Sequence, residues 1–267
     1  MDVSFLKKTI RSLEENFAVL ADHIQPPVWL PEEQHFRHTL KDDRLLVFLK
    51  GVRYISSLNA SAILVENGYT QEIGILARCM DESLQDALFF MRGLEANGEA
   101  SEKQKVAFTD FYQEEFLDSS AGFLENAKRQ QVSRDKIRAA ISNLPENAVN
   151  PHDTAHLHKT TYNAFSGYVH GAYPHIMELY GGKPPHYHMS GLPTSIPHVK
   201  AWEERLGDYT YRGCLFGMYA AKKNGLQTIA DKFFELRKAM EQKYPRFAED
   251  PVEMVKELKA KDKQPKQ

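Results

Sequence analysis

Residues 74–90 read GILARCMDESLQDALFF, an apolar stretch that carries Arg78 and Glu82 four positions apart. Its apolar residues recur at helical spacing, so the stretch predicts a largely buried helix. Because a buried charge without a partner is costly, Arg78 needs acceptors there, which Glu82 and a polar residue of another helix would supply. The wetter side of this helix is predicted to carry its other polar residues, Asp81, Gln85 and Asp86.

A second polar series lies in residues 160–173, TTYNAFSGYVHGAY. Tyr162, Ser166 and His170 are spaced i, i+4 and i+8, so a helix would align them along one face. We expect this face to pack against the Arg78 helix. The polar side chains of the two helices would then form either a structural hydrogen-bond network, which is the favoured interpretation, or the lining of a site.

If these residues line a site, they suit acid–base chemistry on a phosphate. The imidazole of His170 would act as general acid or base, since histidine titrates near neutral pH. Arg78 would stabilise negative charge that develops on a phosphate or carbonyl oxygen. Neither role requires a metal ion or another cofactor, and we expect none. The enzyme alternative is therefore a metal-independent ribonuclease or another phosphodiesterase.

The composition is that of an ordinary globular protein. The chain has 267 residues, of which 42% are hydrophobic and 26% charged, and this length can bury a large core. Its formal net charge of -2 creates no strong field for nucleic acid or for an anionic membrane. Cys79 and Cys214 lie in apolar helical contexts that are typical of reduced packing residues. The sequence shows no signal peptide and no membrane span, so we expect a cytoplasmic protein.

Helical periodicity dominates the chain, and strand alternation is nearly absent. The pattern predicts an all-α bundle of about seven to nine helices. One domain is expected over residues 1–245, followed by a short helix and a frayed basic tail over 246–267. Caps and breakers set the predicted helices at about residues 5–20, 42–66, 71–95, 101–128, 133–142, 153–180, 197–224 and 226–242. The predicted caps include Thr70, a capping box that begins at Ser101, Asp153 or Thr154, and a left-handed end at Asn67–Gly68.

Histidine is concentrated in one part of the chain. Eight of the eleven histidines lie between residues 152 and 198, namely His152, His156, His158, His170, His175, His186, His188 and His198. The i, i+4 pair His152 and His156 could present two nitrogens to one metal ion if it lies on a helix. A metal-binding protein is therefore a third alternative, although a histidine-rich loop without a metal is the more ordinary interpretation.

A basic run includes Arg134, Lys136 and Arg138, next to Lys128 and Arg129. Such a run could contact the phosphates of a nucleic acid. On a short helix between loops, a solvated face is the more usual role for these residues. RNA or a nucleotide is therefore a possible partner in the sequence interpretation but is not required by it.

The two polar series resemble a bacterial family that is related to the HEPN superfamily (higher eukaryote and prokaryote nucleotide-binding domains). The first matching block is ENGYTQEIGILARCMDE, residues 66–82, of the form E-x-G-x-x-x-E-x-x-x-L-x-R-x-x-x-E. The second is YNAFSGYVH, residues 162–170, of the form Y-x-x-x-S-x-x-x-H. The resemblance covers about residues 40–180 and implies a HEPN-like helical core there, with added C-terminal helices.

The resemblance implies two classes of function. Many HEPN proteins are metal-independent ribonucleases in which an Arg and a His, separated by four to six intervening residues, act at a dimer interface. His170 could take the His position, but no Arg lies within ten residues before it, so ribonuclease activity does not carry over. Other members bind nucleotides or partners without catalysis, and some serve as toxins or in phage defence. We therefore expect a binding or self-associating module first and an enzyme second.

Overall fold

The computed structural model of this chain describes residues 1–32, 34–95, 101–112, 131–144 and 149–262. It confirms an all-α bundle. The α-helices are α1 (Val3–Ala21), α2 (Asp43–Glu66), α3 (Thr70–Glu95), α4 (Glu102–Phe111), α5 (Arg134–Ser142), α6 (Pro151–Val169), α7 (Tyr173–Met177), α8 (Pro197–Lys223), α9 (Gln227–Lys243) and α10 (Pro251–Asp262). A short 3-10 helix, Pro245–Ala248, joins α9 to α10. The part of the predicted fourth helix beyond residue 112 lies outside the described residues.

Two small antiparallel hairpins interrupt the helices at segments that the sequence predicts as connectors. β1 (Val28–Leu30) pairs with β2 (His35–Arg37), and β3 (Tyr180–Gly181) pairs with β4 (His186–Tyr187). Cross-strand aromatic contacts hold each pairing, with Trp29 against Phe36 in the first hairpin. Such short strands leave no alternation that a sequence pattern can detect.

Side-chain caps fix the starts of α1, α2, α4 and α6. The Asp42 carboxylate accepts a hydrogen bond from the amide of Leu45 at 2.8 Å, which sets the start of α2 as predicted. Ser101 begins the predicted capping box of α4. The prediction for α6 is wrong by a few residues, because Asn150 is the cap, with its side chain accepting from the amide of Asp153. Thr70 is the first residue of α3 rather than its cap, and its buried hydroxyl makes no hydrogen bond to any residue that the structure describes.

The core forms where α2 and α3 pack side by side against α1 and α8. Its largest fully buried side chains include Tyr54, Trp202, Phe216 and Phe233. Each such burial contributes about 1.5 to 3 kcal/mol before conformational entropy is subtracted. None of the helices in the described part of the chain is long and apolar enough to cross a membrane.

The segment that follows residue 245 folds back onto α8. The Phe247 ring stacks on Tyr211 with their centroids 4.7 Å apart and their planes nearly parallel. The Arg246 guanidinium lies 2.7 Å from the Asp208 carboxylate. These contacts place the start of α10 against the bundle.

Gly68 allows a loop to approach the end of α2 closely. It follows the C-cap residue Asn67 with a φ of 72°, which is the left-handed end that the sequence predicts. Its carbonyl accepts a hydrogen bond from the Leu192 amide at 2.9 Å. A Cβ on Gly68 would overlap the Leu192 backbone. Gly225 follows α8 with the same φ of 72°, yet a Cβ there would meet nothing within 4 Å.

These two glycines provide a matched test of that packing. Gly225→Ala should lower the free energy of unfolding by about 1 kcal/mol, the cost of a left-handed alanine. Gly68→Ala should cost about 3 kcal/mol or more, because overpacking against the loop backbone is added to the same conformational strain. Denaturant unfolding of both variants measures the difference. Equal losses would show that the loop does not lie against Gly68.

Candidate functional site

The Arg78 cluster consists of Arg78 and Glu82 on α3 and Tyr162 and Ser166 on α6. The Arg78 Nε donates to Glu82 Oε1 at 3.1 Å. Its Nη1 donates to Ser166 Oγ at 3.3 Å and its Nη2 to the Tyr162 hydroxyl at 2.6 Å. All three nitrogens of the guanidinium are therefore bound to acceptors of the same chain, across the contact between two helices.

Tyr162 lies between two guanidinium groups. The Cζ atom of Arg78 lies 4.3 Å from the ring centroid, and that of Arg138 lies 4.8 Å from it. These distances allow cation–π attraction to both. Arg138 is buried, and its Nη2 donates to Asp135 at 2.8 Å. Tyr162 therefore links α5 to α6 and α3.

Arg134 extends the cluster through acidic residues of α3. Its guanidinium contacts Asp86 at 2.5 Å and Glu82 at 3.7 Å. Lys50 of α2 reaches the second Asp86 oxygen at 2.6 Å. Burial opposes the charge of Arg134, but the Asp86 carboxylate outweighs it and holds the pKa of Arg134 above its ordinary value. The predicted solvated basic face is therefore wrong for Arg134 and Arg138, while Lys136 is exposed.

The prediction that the polar residues of α3 lie on its solvent-exposed side is wrong. Asp81, Gln85 and Asp86 are buried, with 3%, 3% and 8% of their surface exposed, whereas Ile75 is 44% exposed. Asp81 and Asp86 turn inward because other helices bring partners to them, whereas the buried Gln85 Oε1 has no hydrogen-bond partner among the described residues. The sequence pattern cannot show those partners, since they lie on α2, α5 and α8.

Asp81 of α3 is the centre of a second buried network, which it forms with residues of α8. It accepts a hydrogen bond from the Tyr209 hydroxyl at 2.9 Å and lies 2.7 Å from Arg212. Burial and the Asp81 charge raise the pKa of Tyr209 well above its ordinary value. Tyr209 is therefore neutral at physiological pH and acts as a hydrogen-bond donor.

His170 does not join the Arg78 cluster within one chain. α6 ends at Val169, and His170 is its exposed C-cap, followed by Gly171 in the left-handed region at a φ of 59°. The polar face predicted for this helix therefore ends at Ser166, one turn before His170. No hydrogen bond or ion pair joins His170 to Arg78 in the part of the chain that the structure describes.

The other histidines serve separate roles. His198 lies 3.0 Å from Glu178, which also accepts from the Tyr168 hydroxyl, and His175 packs edge-on against the Tyr168 ring. His186 packs against a neighbouring imidazole of the second hairpin. Within the described ranges, no three or more His, Cys, Asp or Glu side chains group in a way that could hold a metal ion. The histidine-rich segment therefore offers no metal centre there.

Sequence reasoning missed Arg134 and Arg138 as members of the site. A signal for them exists, because they alternate with Ile137 and Ile141 at the spacing of one helical face. Both isoleucines are buried, so the two arginines share the inward side of α5. Read as an amphipathic stripe rather than as a basic run, this pattern indicates buried cations.

The chain matches no protein-family model, no curated protein and no solved structure. The resemblance to HEPN proteins therefore stays a prediction, and function rests on the geometry of the site. That geometry consists of cations bonded to carboxylates and hydroxyl groups of the same chain, with Arg138 Nη1 buried and without a hydrogen-bond partner among the described residues. It can hold helices in register, and it leaves no nitrogen of the Arg78 guanidinium without an acceptor of the same chain.

The Arg78 cluster can be tested against a matched exposed pair. Arg78 and Glu82 are 18% and 30% exposed, whereas the i, i+4 pair Arg11 and Glu15 on α1 is 82% and 66% exposed. Arg78→Ala should lower the free energy of unfolding by about 2 to 3 kcal/mol, because it removes the cation that is bonded to Glu82 Oε1 and to the Tyr162 and Ser166 hydroxyls. Arg11→Ala should change it by less than about 0.5 kcal/mol. Equal small effects in denaturant unfolding would contradict a structural role for the cluster.

Proposed function

We propose that this chain is a non-catalytic helical module that acts by binding, and that its partner is a second copy of itself. The observation that carries this proposal is the closure of the Arg78 cluster. Its cation is committed to Glu82, Tyr162 and Ser166, and the imidazole expected to perform acid–base chemistry, that of His170, lies outside it. The non-catalytic branch of the HEPN superfamily, which the sequence resembles, gives the same expectation.

An exposed apolar face on α2 and α3 supports self-association. Val52, Ile63 and Ile75 are 44%, 60% and 44% exposed. Val52 and Ile63 are eleven residues apart, about three helical turns, so they lie on the same side of α2. The Arg53 Nε donates to Cys79 Sγ at 3.2 Å, which places Ile75, one turn from Cys79, beside the same face.

The face is self-complementary under a two-fold axis. If two copies of α2 pack antiparallel, Val52 of each copy meets Ile63 of the other. The positions between them include Ser56 and Ala60, whose small side chains permit close approach of the two helices. The apolar residues thus fall at the ends of the contact and the small residues at its centre, as a symmetric helix pair requires.

A charge on this face should separate the two copies. We expect the wild type to behave as a dimer and Ile63→Arg as a monomer in light scattering coupled to size-exclusion chromatography, because an arginine there would be desolvated without a partner. Met189→Arg is the control, since Met189 is 84% exposed on the loop that precedes α8. A monomeric wild type at high protein concentration would refute self-association, as would equal behaviour of the two variants.

Absence of catalysis should be measured directly on RNA. We expect wild type and His170→Ala to leave single-stranded and structured RNA equally intact, because the Arg78 guanidinium is already bonded to Glu82, Tyr162 and Ser166 and makes no contact with His170 among the described residues. The measurement is gel analysis of RNA after prolonged incubation with each protein, without added metal. Cleavage by the wild type that disappears in His170→Ala would overturn the proposal in favour of a phosphodiesterase.

A further inference from the structure

A cleft of about 690 Å³ opens between α6, α8, α9 and the segment that leads into α10. Its volume lies within the range of small-molecule sites in proteins. It is separate from the apolar face on α2 and α3, since no residue of those two helices lines it. Self-association through that face therefore does not account for the cleft.

The walls of the cleft are largely apolar and aromatic. Leu157 of α6 and Leu215 and Tyr219 of α8 line it. The stacked rings of Tyr211 and Phe247 form a further wall. Such walls suit the apolar or aromatic body of a small ligand.

The polar groups of the cleft carry excess negative charge. Glu241 accepts from the Tyr211 hydroxyl at 2.8 Å and from Arg237 Nε at 2.7 Å. Burial opposes ionisation of Glu241, but these hydrogen bonds hold its pKa below the ordinary value, so the carboxylate is charged. Glu249 and Asp250 add two exposed carboxylates, and Arg237 is the one cation among the described residues that line the cleft.

His158 adds an unused hydrogen-bonding group. It lines the cleft, and its ring nitrogens make no hydrogen bond to any residue in the described ranges. Burial and the Arg212 guanidinium lower the pKa of His158 to about 4, against an opposing effect of Asp81. The imidazole is therefore neutral near pH 7, when it presents both a donor and an acceptor and adds no positive charge to the cleft.

We propose that this cleft binds a small organic cation, an amine attached to an apolar or aromatic body. The ammonium group lies toward the carboxylates of Glu241, Glu249 and Asp250, and aromatic faces contribute cation–π attraction. The body of the ligand fills the space between Leu157, Leu215 and Tyr219. This site goes beyond self-association and does not depend on it.

Two probes with the same ring and opposite charge test the proposal. Phenethylamine and phenylacetate are each titrated into the full chain at millimolar concentration, where fragment-sized ligands bind, and binding is followed by NMR or calorimetry. Phenethylamine should bind and phenylacetate should bind at least about fivefold more weakly, the scale of an exposed charge effect. Equal affinities, or no binding of phenethylamine, would overturn the proposal.

Variants of exposed residues that line the cleft test whether phenethylamine binds there. Glu249→Lys should weaken the binding of phenethylamine about fivefold. Glu15→Lys, the same charge change on α1, should leave the affinity for phenethylamine unchanged. Ala248→Trp should abolish binding, because the indole would fill the cleft from an exposed position that lines it. Equal effects of Glu249→Lys and Glu15→Lys, or full binding by a folded Ala248→Trp, would place the amine elsewhere and contradict the site.

Discussion

The guanidinium of Arg78 spans the contact between α3 and α6, and its hydrogen bonds fix the register of both helices. A charge in this position stabilises little in net terms, because desolvation offsets much of the attraction, but leaving it without partners in any other packing is costly. The same logic extends along α3. Asp81, Glu82 and Asp86 meet cations from α8, α5 and α2 in turn, so this helix selects its neighbours through its carboxylates.

Much of the fold could be predicted from the sequence, because its signals are local. The start of α2 at Asp42, the capping box at Ser101 and the left-handed end at Gly68 each depend on residues within one turn of chain. The two hairpins could not be predicted, since strands of two or three residues carry no period. The prediction of one helix to about residue 180 is wrong, because α6 ends at Val169 and Gly171 adopts a left-handed conformation, one of several that its sequence allows.

The site was predictable in part and for a different reason. The i, i+4 spacing of Arg78 with Glu82 and of Tyr162 with Ser166 shows that each pair shares a helix face, and a buried cation requires acceptors. Which face is buried depends on tertiary contacts, and here the sequence prediction failed. Ile75 is exposed, while Asp81 is buried because Tyr209 and Arg212 reach it from α8, more than a hundred residues away.

The central claim is that Arg78 and Tyr162 stabilise the fold through each other, across two helices. A double-mutant cycle with Arg78→Met, Tyr162→Phe and the double variant measures that coupling in the free energy of unfolding, while the aromatic ring stays in place. A hydrogen bond to a charged group predicts a coupling of about 1.5 kcal/mol. Additive effects of the two substitutions, with a coupling near zero, would contradict the claim.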